Sequence, residues 1–382
     1  MNEVSASISR KCTPLLVLAF LLACGGDSNG PPAPTSGTLD FHVVTTGSDI
    51  DVDGFFIAIE GGIPQAISAN GTLQLTAEHG SHSILVSGVA FNCDVNAPAS
   101  ASVTPSATTT VTIQGNCTPY LSNAILYTSV QGCCNALMIA RADGSRHEQI
   151  SANDASYYGP AVSPDGQAIA VASGPVSGGF EGIFLLDRFG KGRTKVVSRS
   201  AGDVLPTWSP DGSKLAFRSL VTTPNGDVGR IFIVNRDGSG LRQLTPDPDP
   251  GASSVFDEGT AWSPDGSRIA FARNGVLFMI NPDGTGLTPL GITGGNPAWS
   301  RDGSKIVYSA DGLYTMDLTF VPHRLTSSPD YLPHWSPDGH QLVFQRVDGP
   351  ISHIFRINSD GSGAARITNV VENEMTPTWS PN

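Results

Sequence analysis

Trp262-Ser263-Pro264-Asp265-Gly266 is followed after Ser267 by Arg268-Ile269-Ala270-Phe271-Ala272-Arg273, and this phrase returns through the last two-thirds of the chain. It recurs as Val162-Ser163-Pro164-Asp165-Gly166, Trp208-Ser209-Pro210-Asp211-Gly212, Trp299-Ser300-Arg301-Asp302-Gly303 and Trp335-Ser336-Pro337-Asp338-Gly339, and ends as Trp379-Ser380-Pro381-Asn382. The residue types are those of a type I turn: Ser to accept a backbone hydrogen bond, Pro to pre-set φ, Gly at the fourth position. After each full turn the apolar residues alternate, as Leu215 and Phe217 or Ile306 and Tyr308 do, which is strand periodicity. The tryptophans are expected between neighbouring sheets, and Asp165, Asp211, Asp265, Asp302 and Asp338 are read as turn-forming, not catalytic.

The Ser positions are 46, 54, 37, 36 and 44 residues apart, a spacing that suits one four-stranded blade per repeat. A second turn series runs through Asp143-Gly144, Phe189-Gly190, Asp237-Gly238, Asp283-Gly284, the degenerate Thr319-Phe320 and Asp360-Gly361. It also counts six. Residues 124–129 (AILYTS) form a strand with no preceding turn, while the C-terminal MTPTWSPN is a turn with no following strand. The two ends are expected to complete one blade and so remove the open sheet edges.

Turn plus strand plus Asp-Gly-Ser turn resembles the WD40-like (PD40) repeat of TolB-type propellers, over residues 122–382. The resemblance implies an all-β, six-bladed β-propeller. TolB-type proteins carry an α/β domain first; here residues 39–118 hold five or more short β segments, including LDFHVVT, FFIAIE and TTTVTIQ. They predict a small immunoglobulin-like β-sandwich, similar to PEGA-like or carboxypeptidase-regulatory-like modules.

Arg10 and Lys11 precede an apolar run over residues 13–23 that is too short to span a bilayer but suits a signal peptide. Leu21-Leu22-Ala23-Cys24 resembles the bacterial lipobox, which implies lipid attachment at Cys24, a signal segment over 1–23 and a Gly/Pro/Ser-rich tether over 24–38. By the same resemblance Gly25 directs the protein to the outer membrane, facing the periplasm. Four cysteines remain after Cys12 and Cys24, and in an oxidising compartment they allow three pairings. Cys93 with Cys117 is favoured because both stand at strand ends of the first domain; Cys133 and Cys134 form a vicinal disulfide or a reduced loop pair.

The net charge of −12, without a Lys/Arg cluster, speaks against nucleic acid. No G-x-S-x-G, G-x-x-x-x-G-K or H-E-x-x-H occurs. Asp49, Asp51, Asp53 and Glu60 match the spacing of a calcium loop, but their flanks are β-like, so an acidic turn is expected, with a calcium ion held by the three aspartates as the alternative. His79, His82, His323, His334, His340 and His353 are read as loop and surface residues. These readings predict no catalytic residue, metal or cofactor. They describe a monomeric, membrane-anchored lipoprotein that binds a protein or cell-wall glycan on a loop-rich face, with the long insert of blade three (residues 221–229 and 246–258) as the expected place. The rival is a metal-dependent polysaccharide lyase or hydrolase working in the channel.

Overall fold

The computed structural model describes residues 34–382 except 51–52, 133, 178, 198, 200–201, 224–225, 248–254, 370 and 382. The signal segment, Cys24, most of the tether, Asp51 and Cys133 lie outside the described residues. Every described element is a strand, and the strands form eight four-stranded sheets.

Two of these sheets make the first domain. Its opening strand, Ser36–Gly47, starts within the stretch read as tether. Leu39, Phe41 and Val43 point inward while Asp40 and His42 alternate outward, the period of two that a half-buried strand requires. It pairs antiparallel with Thr72–Glu78 and parallel with Thr108–Cys117. The second sheet runs Gln65–Ile67, Phe55–Ile59, Gly80–Ser87, Ser100–Val103, and Phe55 and Ile57 close the core from that side. Cys93 and Cys117 face each other across two strands and are joined in a disulfide.

The six remaining sheets are the blades. In five of them four consecutive strands pair in chain order; the sixth is built from Ala124–Gln131, Cys134–Arg141 and His147–Gln149 together with the C-terminal Glu374–Trp379. Trp379 lies opposite Ile125, the Ser380 amide donates to the Ala124 carbonyl (2.8 Å), and the Ala124 amide donates to the Ser380 hydroxyl (2.8 Å). The chain ends therefore close the ring as the phase of the repeat predicts. This blade is counted first below.

Arg236, in the second turn of blade 3, reaches Asp165 in the first turn of blade 2 (3.2 Å), so both turn series share one end of the propeller. The sandwich is tied to that turn end at blades 1 and 2. Arg141 donates to the carbonyls of Phe91 and Cys93 and pairs with Asp94 (2.7 Å), Arg146 donates to the Cys93 carbonyl (2.9 Å), and the rings of Phe91, Tyr120 and Phe189 meet in series at tilted angles. Asp49 pairs with Arg188 (2.6 Å) and accepts from the Tyr120 amide (2.9 Å). Both of its oxygens serve the domain joint, which argues against the calcium alternative.

Candidate functional site

In blades 2 to 6 the first turn works through its Ser and Asp. In blade 4 the Ser263 hydroxyl accepts from the Arg268 amide (2.9 Å) and donates to Asp265 (2.5 Å), whose carboxylate also accepts from the Ser267 amide (3.0 Å). Blades 2, 3, 5 and 6 repeat this at Asp165, Asp211, Asp302 and Asp338. The hydroxyl and amide donors pull Asp211, Asp265 and Asp302 down to about 2. The tryptophans bridge blades: Trp208 donates Nε1–H to the Ala161 carbonyl (3.0 Å), Trp335 to that of Ala298 (3.1 Å), and Trp379 to Asn123 across the closure (2.8 Å). Trp262 and Trp299 keep buried Nε1 groups without an acceptor.

The innermost strands enclose an axial cavity of about 550 Å³. One ring of its lining is Pro160, Pro206, Pro297, Pro333 and Pro377, with Thr260 in blade 4; at the turn end stand Pro164, Pro210, Pro264, Pro337 and Pro381, with Arg301 in blade 5. The Trp positions lie between. Among the described residues of this lining Arg301 is the single fully charged side chain, and none of them carries a carboxylate side chain.

Sequence reading missed what shapes this cavity. Every innermost strand carries a β-bulge, and one residue of each bulge has left-handed backbone: Gly159 (φ 62°), Leu205 (53°), Gly259 (60°), Asn296 (49°), Leu332 (53°) and Thr376 (51°). A bulge leaves one amide out of the ladder, so Pro can follow at no hydrogen-bonding cost. The signal was legible as a Pro two residues before the Trp or Val of the turn. Four of the six are non-glycine residues in a conformation that costs free energy, and such strain gathers where neighbours impose it. Here the bulges touch around the axis. The Thr376 hydroxyl bonds to the Thr128 hydroxyl (3.0 Å) and accepts from the Gly159 amide (3.3 Å), and Leu205 fills the space beside Gly159.

Just beyond the bulges lies a row of fully buried acids, also unforeseen: Asp203, Asp257, Asp330 and Glu374. Asp257 takes the fork of Arg273 (2.6 and 2.9 Å) and Asp330 that of Arg346 (2.6 and 2.7 Å). Blade 3 has Ser219 at the corresponding place, and neither Asp203 oxygen makes a hydrogen bond of good geometry. Burial raises its pKa. Glu374, on the closing strand, accepts from Thr368 and lies 3.2 Å from His353 Nδ1, and burial pushes it up to about 7.

Three histidines correct the surface reading. His334 lines the cavity and accepts the Trp379 amide at Nδ1 (3.2 Å); His353 is buried, receives Arg366 (2.9 Å) and is held below its ordinary pKa by that burial. His82 is buried beside Glu60 (2.9 Å). Each is enclosed by groups from other strands, which spacing along the chain does not reveal. Among the described residues no three His, Cys, Asp or Glu side chains gather to hold a metal ion.

Six sheets around an axis, joined by a terminal strand and lined by Pro and Trp, define a closed β-propeller with a small apolar axial cavity. The family profile described as the TolB beta propeller domain matches residues 120–381, and the chain belongs to that family. Over 106 residues it is 31% identical to the Tol-Pal system protein TolB of Anaeromyxobacter dehalogenans strain 2CP-C, a match covering 28% of this chain and 23% of the relative. The chain thus aligns with about a quarter of the length of that curated relative. Among solved structures it is similar to TolB from Acinetobacter baumannii (TM-score 0.57, 19% identity, 69% of this chain and 67% of that one). It is also similar to a putative TolB from Agrobacterium tumefaciens (TM-score 0.50, 19% identity, 67% of this chain and 94% of that one). Both likenesses speak to the fold.

Proposed function

We propose that this chain is a non-catalytic binding protein of the bacterial cell envelope, anchored through a lipid on Cys24, that presents its propeller to a protein partner. The observation that carries this reading is the axial cavity: it offers apolar Pro and Trp surface, one Arg and one His, and among its described residues no carboxylate to serve as general acid or base. That composition suits recognition. Proteins similar to this one are named as components of the Tol-Pal system, which supports an envelope role and a protein partner over a glycan.

The test uses the soluble chain from Gly25 onward as bait against envelope extract, with a parallel assay of polysaccharide cleavage with and without divalent metal. A reproducible stoichiometric protein partner and no cleavage is the expected result. Metal-dependent cleavage would overturn the reading in favour of a channel lyase.

A further inference from the structure

Five blades end alike at the turn end, and blade 5 does not. Its first turn is Ser300-Arg301-Asp302-Gly303, with Arg301 where the other blades place Pro. Its second turn is Asp317-Leu318-Thr319-Phe320-Val321, where blade 4 has Asn281-Pro282-Asp283-Gly284-Thr285. The backbone is nonetheless the same: the Phe320 amide donates to the Asp317 carbonyl (3.0 Å) as the Gly284 amide does to that of Asn281 (2.9 Å). Phe320 therefore sits at φ 59° in a place that every other blade fills with Gly. A bulky residue in the left-handed region is strained, and here the ring is half-buried against the core cluster that includes Met279, Ile306, Tyr308 and Met316.

The substitution changes the surface. Leu318 is 54% and Val321 66% exposed, whereas the equivalent places elsewhere carry mostly polar or small residues. At the same end of blade 5 Arg301 is exposed at the rim of the cavity, and among the described residues nothing pairs with its guanidinium. Lys305, on the same blade, is exposed as well. The nearby carboxylates are already engaged, Asp302 by Ser300 and Ser304, Asp317 by Thr319. An exposed, unpaired Arg is a residue type enriched at interface hot spots, and exposed Leu318 and Val321 stand at the same end of this blade. The sandwich occupies the turn end at blades 1 and 2, so blade 5, across the ring, is uncovered by it.

We infer that the turn end of blade 5, and not the insert of blade three, is the partner-binding surface, and that it takes an acidic peptide segment: one carboxylate for Arg301, flanked by apolar side chains for Leu318 and Val321. The inference rests on the protein-partner reading above. Charge complementarity fixes the occupant, because an unpaired guanidinium at the same blade end as exposed apolar side chains is satisfied by a carboxylate with an apolar neighbour.

The probe is an array of dodecapeptides in which a single Asp flanked by Leu and Phe is compared with the same sequences carrying Asn, bound to the full chain. Asp peptides should bind about tenfold more tightly than their Asn partners. Arg301→Glu should abolish that preference. Arg301→Pro restores the first turn of the other blades; it should fold at least as stably as the parent and still weaken binding about tenfold. Leu241→Asp, on the exposed second turn of blade 3, should leave binding unchanged. Equal binding of Asp and Asn peptides, a preference that survives Arg301→Glu, or binding lost through Leu241→Asp would overturn this inference and leave the protein-partner reading standing. If no peptide bound at all, this inference would fall, and the protein-partner reading would rest on the envelope-extract experiment.

Discussion

In blades 3, 4 and 6 the innermost strand has a carboxylate at both ends, and across the propeller the two ends treat that group oppositely. At the turn end Asp211, Asp265 and Asp302 stand in water with three donors around them, and their pKa values fall to about 2. At the other end Asp203, Asp257, Asp330 and Glu374 are fully buried. There a charge survives only if a countercharge comes with it. Blades 4 and 6 supply one as an Arg on the next strand; blades 1 and 3 do not, and their acids are pushed upward. The same residue type is thus a turn former at one end and an electrostatic liability at the other.

The sharpest way to break this contrast is to strip a buried acid of its partner. Arg346→Ala leaves Asp330 enclosed without a countercharge and should cost about 3–5 kcal/mol, read as a drop in urea midpoint at unchanged slope. Asp330→Asn combined with Arg346→Met removes both charges and should recover most of that loss. If the double variant is as unstable as the single, the pair contributes packing alone and the contrast fails.

Glu374 allows the unpaired case to be tested by pH. Its folded pKa, about 7, lies above its ordinary value of 4.5, so the folded state holds the proton more tightly. This group's contribution is therefore fully present below about pH 4.5 and is lost as pH rises through about 7. Several other groups face the same closure: Tyr127, Arg366, Asp348, Glu372 and His353, the last held below its ordinary value so that it acts in the opposite sense below pH 6.5. Glu374→Gln isolates the carboxyl. The variant should match the parent near pH 4 and exceed it by on the order of 2 kcal/mol at pH 8, measured as thermal or urea unfolding. A constant difference across that range would mean that Glu374 is already ionised at low pH.

The turn end was legible in the sequence and the buried end was not, for a physical reason. A turn spells its conformation in adjacent residues, so Ser-Pro-Asp-Gly declared six blades, and the leftover strand at Ala124 and leftover turn at Trp379 declared their closure. The buried acids take their meaning from a neighbouring strand, as Asp257 does from Arg273, and loops of unequal length hide their common register. The bulge ring failed to register for a different cause. Left-handed backbone at Leu205 or Thr376 is imposed by contacts around the axis, and only the following Pro leaves a trace in the chain. The insert of blade 3 is legible because insertion length shows in the spacing of the repeats. Blade 5 departs by substitution within a turn of normal length, which shows only when the six repeats are set against one another.

The smallest effect belongs to the exposed carboxylates, where the contrast predicts a modest and local role. Asp265→Ala removes the acceptor of the Ser263 hydroxyl and the Ser267 amide, both of which water can reach once the carboxylate is gone. The loss should be about 1 kcal/mol, the net worth of such hydrogen bonds when solvent can replace them. Because the folded pKa of Asp265 lies below its ordinary 3.8, its contribution is present above about pH 4 and fades as pH falls through 2, opposite in sign to that of Glu374. The parent and Asp265→Ala should therefore differ at pH 6 and converge near pH 2. Asp265→Asn, which keeps an acceptor oxygen, should recover part of the difference at pH 6 and lack the pH dependence. A loss at Asp265 as large as that at Arg346 would show that the turns hold the ring together, and that the two ends of the strand are not distinguished by burial after all.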